Sequence, residues 1–394
     1  MLLLTGPEII RPHMPETIHF IDTEPEMAAA ARRLEIHPIL AVDLEADSMF
    51  HFNERICLLQ IASPADLYVI DPLPIPNMED LAPVMASQAI RKVFHGADYD
   101  VRCLIRDYNI NIRNLFDTEI ASRFLGYPET GLNAVIKRHF NMELEKKFQK
   151  KDWSQRPLPQ EMIAYAANDV RYLLDLHDIL ERELAEKGRL DWVLEECELL
   201  SAVRPDPPND NPLFTRCKGA GRLDPRSLGV LEALLEMRRE KARQKDRPPF
   251  KIIGHTALLT LAQKRPETMK KLQALNLLSH KQINMHGRDI LEALQIGANL
   301  PADQLPSYPK TRRPRQSAET VKKIRQLKRW RDNEAKRLAI DPGVFFSNTQ
   351  IATIVEAGPD SIEALSAVNG LKKWQISNYG TKLLELLQQE APLE

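Results

Sequence analysis

Ile39-Leu40-Ala41-Val42-Asp43-Leu44-Glu45 reads as a β-strand, an apolar run interrupted only by two carboxylates. Side chains at i and i+2 of a strand leave the same face, so Asp43 and Glu45 project together. Acids are 55 of 394 residues, so about eight acid-x-acid pairs arise by chance, and the pair alone decides little. Its surroundings give it weight. Ile56–Ala62, Leu67–Ile70 and Lys92–His95 are further short apolar runs of strand character. Glu24–Leu34, Tyr99–Asp107, Thr118–Leu125, Leu132–His139 and Glu161–Lys187 carry helical periodicity. Strands clustered early with helices between and after them predict a mixed sheet covered by helices.

Tyr165-Ala-Ala-Asn-Asp169 lies in the last helical run, where residues i and i+4 stack one turn apart on one face. A phenol and a carboxylate therefore converge, although a core-edge tyrosine beside a solvated aspartate is the commoner arrangement. Asp100, in His95-Gly-Ala-Asp-Tyr-Asp100, opens a helix just after a strand. A carboxylate there can simply answer the helix dipole. Taken together the four acids suggest more. Around one cavity they would repel and raise one another's pKa unless cations neutralised them. Two divalent cations, Mg²⁺ or Mn²⁺, balance four carboxylates, and all-oxygen ligation suits such hard ions. That pair can deprotonate a water, hold a scissile phosphate and stabilise the leaving 3′ oxygen.

The length of 394 residues implies two or three domains. Arg204–Pro212 (RPDPPNDNP) and Leu300–Gln316 (LPADQLPSYPKTRRPRQ) read as linkers. They delimit a domain over 1–203, a second over 213–299 and a third over 317–394. The last two look entirely helical and are copies of each other. An offset of 93 places Arg238 on Arg331, Ala242 on Ala335, Thr256 on Thr349 and Pro266 on Pro359. The same register pairs Leu272 with Leu365, Asn276 with Asn369, Gln282 with Gln375, Ile283 with Ile376 and Gly287 with Gly380. Apolar and turn positions coincide without a gap, which is the mark of a duplicated fold.

Residues 17 to about 200 resemble the tyrosine branch of the DEDD exonuclease superfamily, most closely the ribonuclease D group. Asp43-Leu-Glu45, His95-Gly-Ala-Asp-Tyr-Asp100 and Tyr165-Ala-Ala-Asn-Asp169-Val carry the resemblance, with Asp152-Trp153-Ser-Gln-Arg156-Pro157-Leu158 as a further hallmark. Residues 222–298 and 317–388 look like HRDC domains, the second lacking the Pro248-Pro249-Phe250 turn of the first. The resemblance implies an α/β, ribonuclease H-like exonuclease domain followed by two small all-α domains. It implies that Asp43, Glu45 and Asp169 hold the metal carrying the attacking water. Asp43 would bridge to a second metal that Asp100 also reaches, and Tyr165 would orient the water. The implied product is a nucleoside 5′-monophosphate released from the 3′ end of RNA, with transfer RNA precursors as the family's substrate.

Net charge is −1, but basic residues are unevenly placed. Lys146, Lys147, Lys150, Lys151 and Arg156 form one cluster, expected to hold backbone phosphates near the site. Arg312, Arg313, Arg315, Lys322, Lys323, Arg325, Lys328, Arg329 and Arg331 form another. A solvated helix face accounts equally well for either. Trp153 and His95 are expected to pack rather than react, and Trp330 and Trp374 to belong to the core of the second repeat. No apolar run approaches the roughly 20 residues of a membrane span. Four dispersed cysteines with no C-x-x-C argue against a disulfide framework or zinc site and suit a reducing cytosol. A monomer is expected. Two rivals stand: a 3′→5′ DNA exonuclease, which shares the acids, and a non-catalytic RNA-binding scaffold, which should have lost one of the five side chains.

Overall fold

The computed structural model of the chain describes residues 17–207, 209–309 and 316–389. Six strands form one mixed sheet: β1 (Ile18–Ile21), β2 (Ile39–Ala46), β3 (Ile56–Ala62), β4 (Leu67–Ile70), β5 (Arg91–Phe94) and β6 (Leu115–Asp117), in the order β1-β4-β3-β2-β5-β6. Pairing is antiparallel between β3 and β4, and parallel in β1–β4, β2–β5 and β5–β6. Every residue of β3 and β4 is buried, and both strands read as apolar runs broken in β3 only by Gln60.

Eight helices accompany the sheet: α1 (Glu24–Leu34), α2 (Ala82–Ala86), α3 (Asp98–Tyr108), α4 (Thr118–Leu125), α5 (Leu132–Phe140), α6 (Gln160–Arg171), α7 (Leu173–Glu186) and α8 (Leu190–Ser201). The helix expected over 161–187 is divided at Tyr172 (φ −102°, ψ −5°), which caps both α6 and α7 and packs its ring on Phe140 at 5.8 Å. Strands β1 and β6 and helices α2 and α8 were not anticipated. The three or four residues of β6 and β1 are too few to show a period.

Both helical repeats contain five helices. In the first they are α9 (Pro225–Gln244), α10 (Pro249–Ile252), α11 (His255–Lys264), α12 (Met269–Ala274) and α13 (His280–Ala298). The second has α14 (Ala318–Leu338), α15 (Pro342–Phe345), α16 (Asn348–Ala357), α17 (Ile362–Ser366) and α18 (Lys373–Gln388). The offset of 93 carries α10 onto α15 and α11 onto α16 residue for residue. It also carries individual bonds. Arg238 donates to the Ile253 carbonyl and Arg331 to that of Phe346; Gln282 donates to the Ile252 carbonyl and Gln375 to that of Phe345. A Cβ on Gly287 would meet Met269, and one on Gly380 would meet Ile362, the matching residue. The duplication therefore extends to the polar bonds and close approaches that lock each copy.

The chain forms two compact units. One contains the described residues up to Glu45, Ile56–Pro205 and the second repeat; the other joins Ala46–Arg55 to the first repeat. Within that second unit, Asp246 accepts from the Phe52 backbone N–H (3.0 Å) and bonds the His51 ring (2.7 Å), while Phe52 packs against the repeat's core. Trp330 lies among Phe345, Phe346 and Tyr379, as expected of a core residue. Trp374 also touches Phe345, but its nearest stacking partner is Trp192 of α8. Of the second basic cluster, Arg312, Arg313 and Arg315 lie outside the described residues. Arg331 is buried on the Phe346 carbonyl and Asn348, so it serves the fold of its own repeat. The four cysteines are buried thiols outside any disulfide, and among the described residues no helix is long and apolar enough to cross a membrane.

Candidate active site

Strand alternation works as the sequence requires. Leu40, Val42 and Leu44 of β2 are buried, and Asp43 and Glu45 leave the opposite face half-buried. Helix α6 buries Met162, Ile163, Ala166, Ala167 and Val170 while packing on β3 and β4, which leaves Tyr165 and Asp169 half-buried together on another face. Asp100 sits in the first turn of α3 and is 7% exposed.

These side chains act on one another electrostatically. Burial pushes Asp43 up to about 7. Burial, then the charges of Asp43, Asp169 and Asp100, takes Glu45 to about 10. Asp169 rises to about 8 through burial and Asp43, and Asp100 rises well above the carboxylate range through burial, Asp43 and Asp117. Burial and the charges of Asp169, Glu45 and Asp43 also hold the Tyr165 phenol above its ordinary range. Each effect reaches across elements, so β2, α3 and α6 present one acidic neighbourhood. Among the described residues, no three acidic, histidine or cysteine side chains converge closely enough to hold a metal ion as they stand. The donor set is nonetheless all oxygen and strongly anionic, which fits hard divalent cations.

Residues not singled out from the sequence fix these groups. Asp117, at the end of β6, is 1% exposed, and its carboxylate accepts four backbone N–H groups. Two belong to Gly96 (3.1 Å) and Ala97 (2.8 Å), just ahead of α3; two belong to Glu119 (2.8 Å) and Ile120 (3.1 Å), in the first turn of α4. One residue thus sets where α3 begins and so where Asp100 sits. The signal was an Asp at the N-cap position of a predicted helix. Gly96 has φ +77°, and a Cβ there would meet Glu119 Oε2 at 2.9 Å, so the turn into α3 needs glycine.

Phe148 is the second such residue. Its ring meets Tyr165 edge-on at 5.6 Å, while the Trp153 ring lies tilted against the same tyrosine at 6.0 Å. Trp153 is 1% exposed, so it orients Tyr165 and offers no base-stacking surface. His95 is also held within the protein, its Nδ1 2.9 Å from Thr118 Oγ1.

The first basic cluster divides. Lys146, Lys150 and Lys151 are exposed, whereas Lys147 pairs with Glu161 at 2.7 Å. Arg156 departs from its expected phosphate contact. Its Nε and one NH₂ group bind Asp71, that group also reaches the Cys57 carbonyl, and the other donates to the carbonyls of Trp153 and Gln155. All five N–H groups of the guanidinium are thereby engaged inside the protein. Asp71 is 4% exposed at its side chain, and a buried carboxylate is what required this arginine.

Comparison with known proteins agrees with this geometry. A 3′-5′ exonuclease family matches residues 18–185, and the HRDC domain family matches twice, at 227–294 and 322–387. A Ribonuclease D from Nitrobacter hamburgensis is 28% identical over 371 residues, covering 93% of this chain and 94% of that protein. A Ribonuclease D from Pseudomonas paraeruginosa is 26% identical, covering 98% of this chain and 100% of its own. The crystal structure of Escherichia coli RNase D, described as an exoribonuclease involved in structured RNA processing, is similar with a TM-score of 0.70 at 25% identity, over 94% of this chain and 99% of that one. A catalytic domain and two helical repeats are matched in order, and the chain is a 3′-5′ exoribonuclease similar to ribonuclease D along nearly its full length.

Proposed function

We propose that this exoribonuclease removes nucleotides one at a time from RNA with a free 3′ hydroxyl, releasing nucleoside 5′-monophosphates, and that transfer RNA precursors are among its substrates. The observation that supports this most is the mutual perturbation of Asp43, Glu45, Asp100 and Asp169 together with Tyr165, from three separate elements. Asp43, Glu45 and Asp169 would hold one Mg²⁺ or Mn²⁺, and Asp43 with Asp100 a second. When bound, such a pair neutralises the carboxylates and supplies positive charge at the scissile phosphate. Tyr165, a phenol held above its ordinary range, stays protonated at neutral pH and positions the attacking water by hydrogen bonding. Phe148 and Trp153 keep its ring in place. Lys146, Lys150 and Lys151 would draw in the RNA backbone. A reducing cytosol suits four buried cysteines that form no disulfide.

The test digests matched RNA and DNA strands ending in a 3′ hydroxyl or a 3′ phosphate, with wild type, Asp169→Ala and a chelator control. Expected are 5′-mononucleotides from 3′-hydroxyl RNA with wild type alone. Faster release from DNA would favour the DNA exonuclease reading; no mononucleotide from any strand would leave only the scaffold. Tyr165→Phe is expected to lower kcat by about 10²-fold with KM little changed, as loss of the hydrogen bond that orients the nucleophile does.

A further inference from the structure

Helix α8 links the active site to the second repeat. On one side, buried Cys197 Sγ accepts the backbone N–H of Asp117 at 3.2 Å, behind the residue that sets the start of α3. On the other side it carries the repeat. Trp192 stacks on Trp374 with centroids 4.5 Å apart and planes 16° apart, and Phe124 meets Trp374 edge-on at 5.6 Å. Glu195 accepts the backbone N–H groups of Lys373 (2.7 Å) and Trp374 (2.8 Å), at the start of α18. Those are groups a helix leaves without internal partners. Glu196 accepts from Trp374 Nε1 (3.1 Å) and pairs with Lys372. Arg189, 7% exposed, donates to the Phe124 carbonyl and to the Leu338 carbonyl, each at 2.7 Å. One guanidinium thus ties the end of α4 to the end of α14.

The first repeat lacks these features on the matching face. Its counterparts of Lys373 and Trp374 are His280 and Lys281, both exposed, and α13 is capped by its own Ser279 and Gln282. The two copies share a fold and differ in what this face does.

We propose that the second repeat braces the catalytic site: it holds α8, α8 backs Asp117, and Asp117 sets the end of α3 that presents Asp100. The inference rests on the metal-site reading above. The competing role, a grip on RNA through the start of α18, is opposed by Glu195. Its carboxylate occupies the N–H groups a phosphate would use and would repel a phosphate.

Trp374→Ala, Glu195→Gln and the conservative Trp374→Phe, made in the full chain, test the brace. Mn²⁺ binding is measured by calorimetry without RNA, and kcat and KM are measured on 3′-hydroxyl RNA. Trp374→Ala is expected to weaken Mn²⁺ binding and lower kcat, each about tenfold, as loss of a supporting contact behind a metal ligand does. KM should hold, Glu195→Gln should move the same way by less, and Trp374→Phe should restore both values. If Trp374→Ala fails to fold, Glu195→Gln, which leaves the ring stack intact, carries the same readouts. A raised KM with unchanged kcat and Mn²⁺ affinity would assign the face to RNA and overturn the brace, and so would no change in any parameter. Failure of wild type to bind Mn²⁺ would overturn the metal site and the brace together; normal wild-type binding with unaltered variants would overturn the brace alone.

Discussion

Asp100 shows which local force prevails. A carboxylate in the first turn of a helix is stabilised by the dipole, ordinarily by under about 1 kcal/mol. Here burial and the neighbouring Asp43 and Asp117 prevail, and its pKa rises. The consequence can be measured. A carboxyl whose folded pKa exceeds its unfolded value binds its proton more tightly in the folded state. Its stabilising effect is complete below the ordinary carboxylate range and is lost as pH rises through the folded value. With Asp43 near about 7, Asp169 near about 8 and Glu45 near about 10, the chelated protein should lose stability steadily from pH 5 to pH 9. Mn²⁺ should restore it most at the alkaline end, a difference thermal melts across that range would detect. Arg156 makes the opposite point, because sequence placed it on RNA and structure places it on Asp71. Arg156→Ala should lower stability by about 3 kcal/mol in urea titrations, since it strands a buried charge. Lys146, Lys150 and Lys151 changed to glutamine should raise KM and flatten its dependence on salt while stability holds. An unaltered salt slope would remove them from the RNA path.

At the scale of elements, what could be read depended on length and repetition. Asp43 with Glu45 and Tyr165 with Asp169 were legible because strand and helix periods dictate which side chains share a face. The helical repeat was legible as a duplication because one register fitted apolar and turn positions at once. Strand β6 was not legible: three residues carry no period, yet it ends in Asp117, on which the placement of α3 depends. Nor was the meeting of α4 with α14, which joins residues distant in sequence. There Gly126 closes α4 at φ +82°, and a Cβ would stand 1.8 Å from the Ala339 carbonyl oxygen. Gly126→Ala combines a left-handed penalty of about 1–2 kcal/mol with a backbone clash. Stability in urea titrations should therefore fall by more than the left-handed penalty alone.

For the whole molecule, sequence order and spatial grouping carry different information. The order of motifs sufficed to identify a catalytic domain and two helical repeats. It could not show that the compact unit holding Asp43 and Asp169 also contains the second repeat, while the segment just after Glu45 belongs with the first. Only packing assigns those memberships, because single tryptophans and glutamates on α8 have no recognisable pattern until Trp374 is set against them.

Calorimetric titration of Mn²⁺ into the full-length protein near pH 7, in buffers of different ionisation enthalpy, bears most directly on the acids as one metal site. Two ions bound per chain are predicted, with protons released on binding, and Asp43→Asn should lose both the binding and the release. Absence of binding by wild type, together with RNA turnover undiminished by chelation, would contradict the account.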